Sequence, residues 1–159
     1  MAGQSFVLDR ASLADLPAIV ALLRDDPLGA ARESDDLAGY EQAFRTIDAD
    51  PNQFLVAVRG ADGEVVGTMQ LTLIPGLARQ AATRLQIEGV RIAARARGIG
   101  LGSAMFAWAH EYGRSRQAKL AQLTTAKARG DAHRFYARLG YRASHEGLKL
   151  ELAERPEAD

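Results

Sequence analysis

Glycines at alternate positions in Arg97-Gly98-Ile99-Gly100-Leu101-Gly102 constrain this chain more than any other feature. An apolar strand pattern precedes them and a helical pattern follows, so they fall on a strand-to-helix turn. Stripped of side chains, the amides of such a turn can close on an anion at the positive end of the following helix. Arg97 adds a cation at the mouth of the turn. The pattern predicts a bound group that carries phosphate.

Two common nucleotide folds fit poorly. A dinucleotide fold would place its glycines after the first strand of a βαβ unit, with an acid about twenty residues on. Here the turn comes late, and Lys119-Leu120-Ala121-Gln122 offers no acid. A phosphate loop would end in Gly-Lys-Ser/Thr, whereas this chain reads Gly102-Ser103. The 159 residues suit one domain over 1–159, with a loose tail over 153–159. Hydrophobic content of 47% and charged content of 25% are those of a soluble globule. Zero net charge argues against general nucleic-acid binding. Cysteine is absent, which excludes a disulfide framework and a thiol nucleophile. The start Met1-Ala2-Gly3-Gln4 lacks a signal-peptide pattern, and no apolar run reaches spanning length, so a cytoplasmic protein without membrane partners is expected.

Along the chain, residues 5–10 read as a strand. Ser12 and Asp15 have capping-box spacing ahead of Leu13, Leu16, Val20 and Leu23 at helical intervals. A second helix is expected over 36–47. Strands over 54–58 and 65–74 flank Asp62-Gly63, a hairpin signal, and Gly67 marks a candidate bulge. A strand over 85–92 leads into the glycine turn. Leu101, Met105, Trp108, Ala109 and Tyr112 then form a helical stripe. A buried strand over 120–125 follows, then a helix with Asp131 as N-cap and Gly140 in the left-handed position past its end. The segment 148–152 alternates as a closing strand. This order predicts a mixed sheet flanked by helices.

Two motifs together resemble the GNAT superfamily of acyl-CoA-dependent N-acyltransferases. The first is Gln/Arg-x-x-Gly-x-Gly/Ala, carried by Arg97, Gly100 and Gly102. The second is Phe-Tyr, three residues, Gly and an aromatic, carried by Phe135, Tyr136, Gly140 and Tyr141. The resemblance implies an α/β (α+β) GNAT fold with a central mixed, mostly antiparallel sheet and helices on both faces. It implies an acetyl-CoA-dependent N-acetyltransferase acting on a primary amine of a small molecule or peptide, by direct attack in a ternary complex and without a metal. The amides of Gly98, Ile99, Gly100, Leu101, Gly102 and Ser103 would hold the pyrophosphate. The backbone of Val90 and Ile92 would pair with the pantetheine arm like an added strand. Asp131, a cofactor-binding position by the resemblance, stands where many members have Asn: the N-cap role survives that change, but the side-chain amide that would contact the cofactor is gone.

Acetylating an amine requires the amine to lose a proton and the leaving thiolate to gain one. Glu88 is the base candidate: its neighbours Ile87, Val90 and Ile92 are apolar, and burial would raise its pKa. Many superfamily members have Glu at this point. The bland alternative is a strand-end carboxylate paired with Arg91 or Arg84. Tyr136 is the acid candidate through the resemblance, which sets this tyrosine near the sulfur; its alternative is a core aromatic beside Phe135. His110 and His133 read as surface residues, His145 as a turn residue or the edge of an acceptor site, and no spacing suggests a metal. The acidic run Asp25, Asp26, Glu33, Asp35, Asp36 and Glu41 favours a cationic acceptor, while Arg79 and Arg84 would equally serve an acceptor's carboxylate. The resemblance leaves a homodimer open, and no stripe identifies an interface. A different class of function also accommodates the glycine turn: a non-catalytic acyl-CoA-binding sensor or scaffold, which needs neither Glu88 nor Tyr136.

Overall fold

In the computed structural model, residues 5–25 and 27–152 are described, of which 27 and 28 by backbone alone. The tail expected over 153–159 and Asp26 lie outside the described residues. The chain divides into two compact units, Met1–Leu123 and Thr124–Asp159, each taken by itself below.

The first unit is a five-stranded sheet in the order β1 (Val7–Arg10), β2 (Gln53–Arg59), β3 (Val65–Ile74), β4 (Arg84–Ile92), β5 (Leu120–Gln122). The first three pairings are antiparallel and β4–β5 is parallel. The β2–β3 turn forms as its sequence predicts: Gly63 has φ of 81°, and Asp62 Oδ1 accepts from the Glu64 N–H at 3.0 Å. Val66 is an extra residue in β3, because Val58 faces Gly67 while Arg59 faces Val65. Gly67 follows it in a crowded place, where a Cβ would lie 3.2 Å from the Arg91 carbonyl oxygen.

Each face of the sheet carries helices. Val56, Met69, Leu71, Leu85 and Ile87 are buried on one face, with Leu101, Met105, Phe106 and Ala109 of α5 (Leu101–Ser115). Gly113 lets α5 seat closely, since a Cβ there would come within 3.0 Å of Leu85 Cδ2. Trp108 is partly buried and stacks on Tyr112, and both rings meet Phe54. On the other face α1 (Leu16–Arg24) sets Leu16, Ile19 and Val20 on Ala57, together with Phe44 of α3 (Ala38–Ala49). Between α1 and α3 lies the single turn α2 (Pro27–Ala30).

The N-terminus of α1 is pinned by the expected box: Asp15 Oδ2 accepts from the Ser12 N–H at 2.7 Å and from its hydroxyl at 2.9 Å. Arg59 adds a two-pronged pair to the same carboxylate, 2.8 Å on each oxygen. That pair holds the Asp15 carboxyl below the usual range, against the opposing effect of its burial.

The second unit contains α6 (Gly130–Arg138). Two sequence expectations fail near the C-terminus. The strand over 120–125 is shorter, ending at Gln122, and 148–152 forms no strand. Alternation alone does not make a strand: its N–H and C=O groups need a neighbouring ladder. Leu148, Leu150 and Leu152 are exposed instead.

Candidate functional site

The glycine turn is built for a bare backbone. Gly98 and Gly100 have φ of 77° and 85°, in the left-handed region that L side chains rarely adopt. A Cβ at either position would meet nothing within 4 Å, so the turn faces open space. Gly100 is the N-cap of α5, and Ala104 is the first residue whose N–H returns to its carbonyl, at 3.1 Å. The N–H groups of Leu101, Gly102 and Ser103 therefore belong to the first turn, which has no intrahelical acceptors. Fifteen residues of aligned peptides stand behind them. Arg97 is committed in two directions: its Nε donates to the Ile92 carbonyl at 2.9 Å, and its Nη2 meets Asp25 at 3.3 Å. This ties the end of α1 to the mouth of the turn.

The strand that feeds the turn has two distinctive features. First, β4 and β5 pair only from Arg84–Leu120 to Gln86–Gln122. Beyond Gln122 the β4 backbone continues to Ile92, and among the described residues its ladder there is with β3. Second, β4 is bulged. Gln70 faces Glu88 and Thr68 faces Arg91, so Met69 alone opposes both Gly89 and Val90. Gly89 takes φ of 62° to allow this.

The bulge corrects the expected surroundings of Glu88. Counting alternate residues through Val90 and Ile92 assumes an unbroken strand. In the structure Glu88 shares a face with Gln86 and Gln70, and it is exposed rather than buried. Among the described residues it forms no ion pair with Arg84 or Arg91, so the bland alternative is not found either. Val90 and Ile92 are partly buried, and the Ile92 carbonyl is the one already taken by Arg97.

In the second unit, the Phe-Tyr-x-x-x-Gly-aromatic spacing proves to be a helix ending. The Tyr141 N–H donates to the Tyr136 carbonyl at 3.0 Å and the Gly140 N–H to the Ala137 carbonyl at 3.0 Å. Gly140 has φ of 91°. These are the two bonds of a Schellman motif, and the Tyr136 and Tyr141 rings, 6.0 Å apart, supply its apolar contact. Burial, and after it the Tyr136 charge, pushes the Tyr141 hydroxyl up to about 12. Asp131 is not the N-cap: Arg129 holds that position, and Asp131 sits in the first turn, exposed and paired with Arg134. The Arg129 N–H donates to the Ala126 carbonyl at 3.0 Å and its own carbonyl accepts from the His133 N–H at 3.1 Å, so the cap lies two residues before the expected one.

The acidic run is locally engaged. Asp25 pairs with Arg97, Asp35 with Arg24 and Glu41 with Arg45. Glu33 accepts from the Tyr40 hydroxyl at 2.6 Å, and Asp36 accepts from the Ala38 N–H. Arg79 lies on the single turn α4 (Ala78–Ala81), where Arg79, Gln80 and Ala81 all have left-handed φ. His133 and His145 are exposed, whereas His110 is partly buried against Phe106, and burial lowers its pKa. Among the described residues no group of three or more His, Asp or Glu could hold a metal, and no helix is long and apolar enough to cross a membrane.

Sequence reasoning missed the bulge, although Gly89 inside a strand pattern signals one. It also missed a row of amides beside Glu88. Gln53 Oε1 accepts from Gln70 Nε2 at 3.1 Å and from the Thr72 hydroxyl at 2.8 Å, and Gln122 Nε2 donates to Gln86 Oε1 at 2.8 Å.

With this geometry in hand, comparison with known proteins is direct. Residues 16–141 match the acetyltransferase (GNAT) family. The chain is 37% identical over 111 residues to an aminoalkylphosphonate N-acetyltransferase of Salmonella typhimurium, covering 69% of this chain and 70% of that protein. A crystal structure of a transcriptional regulator from Bacillus halodurans C-125 superposes with a TM-score of 0.89 at 42% identity, over 93% of this chain and all of that one. An acetyltransferase structure from Trypanosoma brucei gives 0.76 at 25% identity, over 93% of this chain and 100% of that one.

Proposed function

The chain belongs to the GNAT acetyltransferase family, and on that premise we propose that it moves the acetyl group of acetyl-CoA to the primary amine of a small molecule or peptide by direct attack in a ternary complex. One observation carries this reading. Among the described residues the β4 edge beyond Gln86 has no partner strand on its β5 side, and it leads through the short turn Ala94–Ala96 to the glycines at the start of α5. An extended arm with a pyrophosphate at its end finds backbone groups along the first and first-turn amides at the second. Gly98, Ile99, Gly100, Leu101, Gly102 and Ser103 would hold the pyrophosphate, and Val90 and the N–H side of Ile92 the arm.

The chemistry then asks little of side chains. The amine nitrogen bonds to the thioester carbon, the C–S bond breaks, and the thiolate leaves. Holding the two reactants together supplies most of the rate. Glu88, open to solvent, takes the amine's proton through water, and Tyr136 donates to the departing sulfur. Asp131 is too exposed to strengthen the case for a cofactor contact, and Arg134 already occupies it.

The acceptor to test first is an aminoalkylphosphonate, the substrate class in the name of the Salmonella relative. The test is CoA release from acetyl-CoA with a panel of primary amines, with the acetylated product identified by mass. Amine-dependent release with an N-acetyl product supports the reading. Acetyl-CoA binding without release from any amine would move the assignment to a sensor, in keeping with the description of the Bacillus halodurans structure as a transcriptional regulator.

A further inference from the structure

We propose that Arg84, with Gln86 and Gln122, forms a recognition site for an oxyanion on the acceptor, so that the acceptor is a small zwitterion with its amine toward Glu88. This rests on the acetyltransferase reading above and names its substrate class.

Arg84, Gln86 and Glu88 alternate along β4 and share one face of the sheet, opposite to Leu85 and Ile87, which are buried with α5. Across the ladders that face continues through Gln122 on β5, Gln70 and Thr72 on β3, and Gln53 on β2. Under α1 and α3 the same face is apolar. Here it is a floor of amides between Arg84 at one end and Glu88 at the other, with Arg91 beyond Glu88 on the same face.

Arg84 is the unusual member. It is partly buried, yet among the described residues no carboxylate lies within ion-pair distance. Its side-chain partner among the described residues is a neutral amide at the limit of hydrogen bonding, Gln122 Oε1 at 3.5 Å. A guanidinium has five donors in a planar fork suited to two oxygens of a carboxylate or phosphonate. Gln122 is held by its own bond to Gln86, whose amide nitrogen has no acceptor among the described residues. Three other arginines of the basic segment are committed or displaced. Arg97 holds Ile92 and Asp25, Arg91 Nη1 donates to the Val90 carbonyl, and Arg79 is exposed on the left-handed turn.

The spacing sets the size. Four strand steps separate Arg84 from Glu88, about 13 Å between Cα atoms. Two long side chains reaching inward leave room for an amine and an oxyanion a few bonds apart. The acidic run, by contrast, spends its charge on Arg24, Arg45 and Arg97, which disfavours a polycation.

The experiment compares three acceptors of equal chain length in the wild type and in Arg84→Gln and Arg84→Lys: 2-aminoethylphosphonate, β-alanine and propylamine. The wild type should prefer a zwitterion to propylamine by at least tenfold in kcat/KM, and the better zwitterion identifies the oxyanion. Arg84→Gln should raise KM for that zwitterion at least tenfold more than for propylamine. KM for acetyl-CoA should stay put, and Arg84→Lys should recover part of the loss through its charge. Equal effects of Arg84→Gln on all three acceptors, or a wild type that prefers propylamine, overturns the assignment. The wild-type preference stands as a test even if a variant misfolds. A wild type that releases no CoA with any amine overturns the acetyltransferase reading itself, which is a different outcome.

Discussion

Asp15 shows how one side chain sets the frame of the site. Its carboxylate is buried, capped by Ser12 and gripped by Arg59, 44 residues away. Asp15→Asn should cost about 2 kcal/mol at neutral pH, because the guanidinium loses its charged partner. That lowers the melting temperature by several degrees, at about 2–4 °C per kcal/mol for this size. The pH dependence follows from the sign of the shift. A carboxyl held below its unfolded value stabilises above about pH 4. The gain disappears as pH falls through the lowered native value, so wild type should lose stability more steeply there than Asp15→Asn, which unfolding curves at two pH values would read. At the reacting end, Glu88→Gln should lower kcat by about 10²-fold if Glu88 accepts the amine's proton. The loss should shrink toward high pH, where the amine arrives already deprotonated; a wild-type kcat removes Glu88 from the role. Tyr136→Phe should lower kcat with acetyl-CoA affinity intact. Its ring stays in the helix ending either way, so unchanged turnover would leave Tyr136 with that structural part alone. The sequence spacing of Ser12 and Asp15 is enough to foresee the cap, because a cap is local. Arg59 is not foreseeable, because its pairing depends on the β1–β2 register.

Among the elements, β4 does most to shape the site. Glu88 lies on the polar face by alternation with Gln86, and the two-for-one mismatch with Met69 that follows it sets Ile92 beside Gly67 on the α5 side of the sheet. Gly89→Ala tests that device. A Cβ there meets no atom, so its cost is backbone strain of about 1–2 kcal/mol at φ of 62°. The variant should melt earlier and show a raised KM for acetyl-CoA; an unchanged KM would mean that the bulge does not align the strand. The span of β3 is legible because Met69, Leu71 and Leu73 alternate, whereas the extra residue Val66 sets Val65 with the α1 cluster rather than on their face. The burial of Glu88 is misread in the same way: alternation counts residues, and a bulge changes the count. The 148–152 segment fails likewise, since its leucines alternate but have no ladder. The Phe-Tyr-x-x-x-Gly-aromatic signature is legible as spacing, and the structure supplies its cause in the Schellman bonds.

At the scale of the whole molecule, family and fold were readable from two short motifs in the right order, and the acceptor was not. The motifs are contiguous in sequence, whereas the amide floor gathers Gln53, Gln70, Thr72, Arg84, Gln86 and Gln122 from four strands by register alone. The acidic run misleads because its charges are met by Arg24 and Arg45 close by in sequence and by Arg97 from the glycine turn. The account's central claim is that acetyl-CoA sits with its pyrophosphate on the first turn of α5. Ser103 is exposed in that turn, and a glutamate at this position suits a helix start. Calorimetric titration of acetyl-CoA into wild type and Ser103→Glu is therefore the most direct measurement. Binding at least tenfold weaker in the variant, about 1.4 kcal/mol, with a melting temperature no lower than wild type, is the predicted result. Equal affinity in the two proteins would contradict the account, because a carboxylate cannot share that turn with a pyrophosphate at no cost.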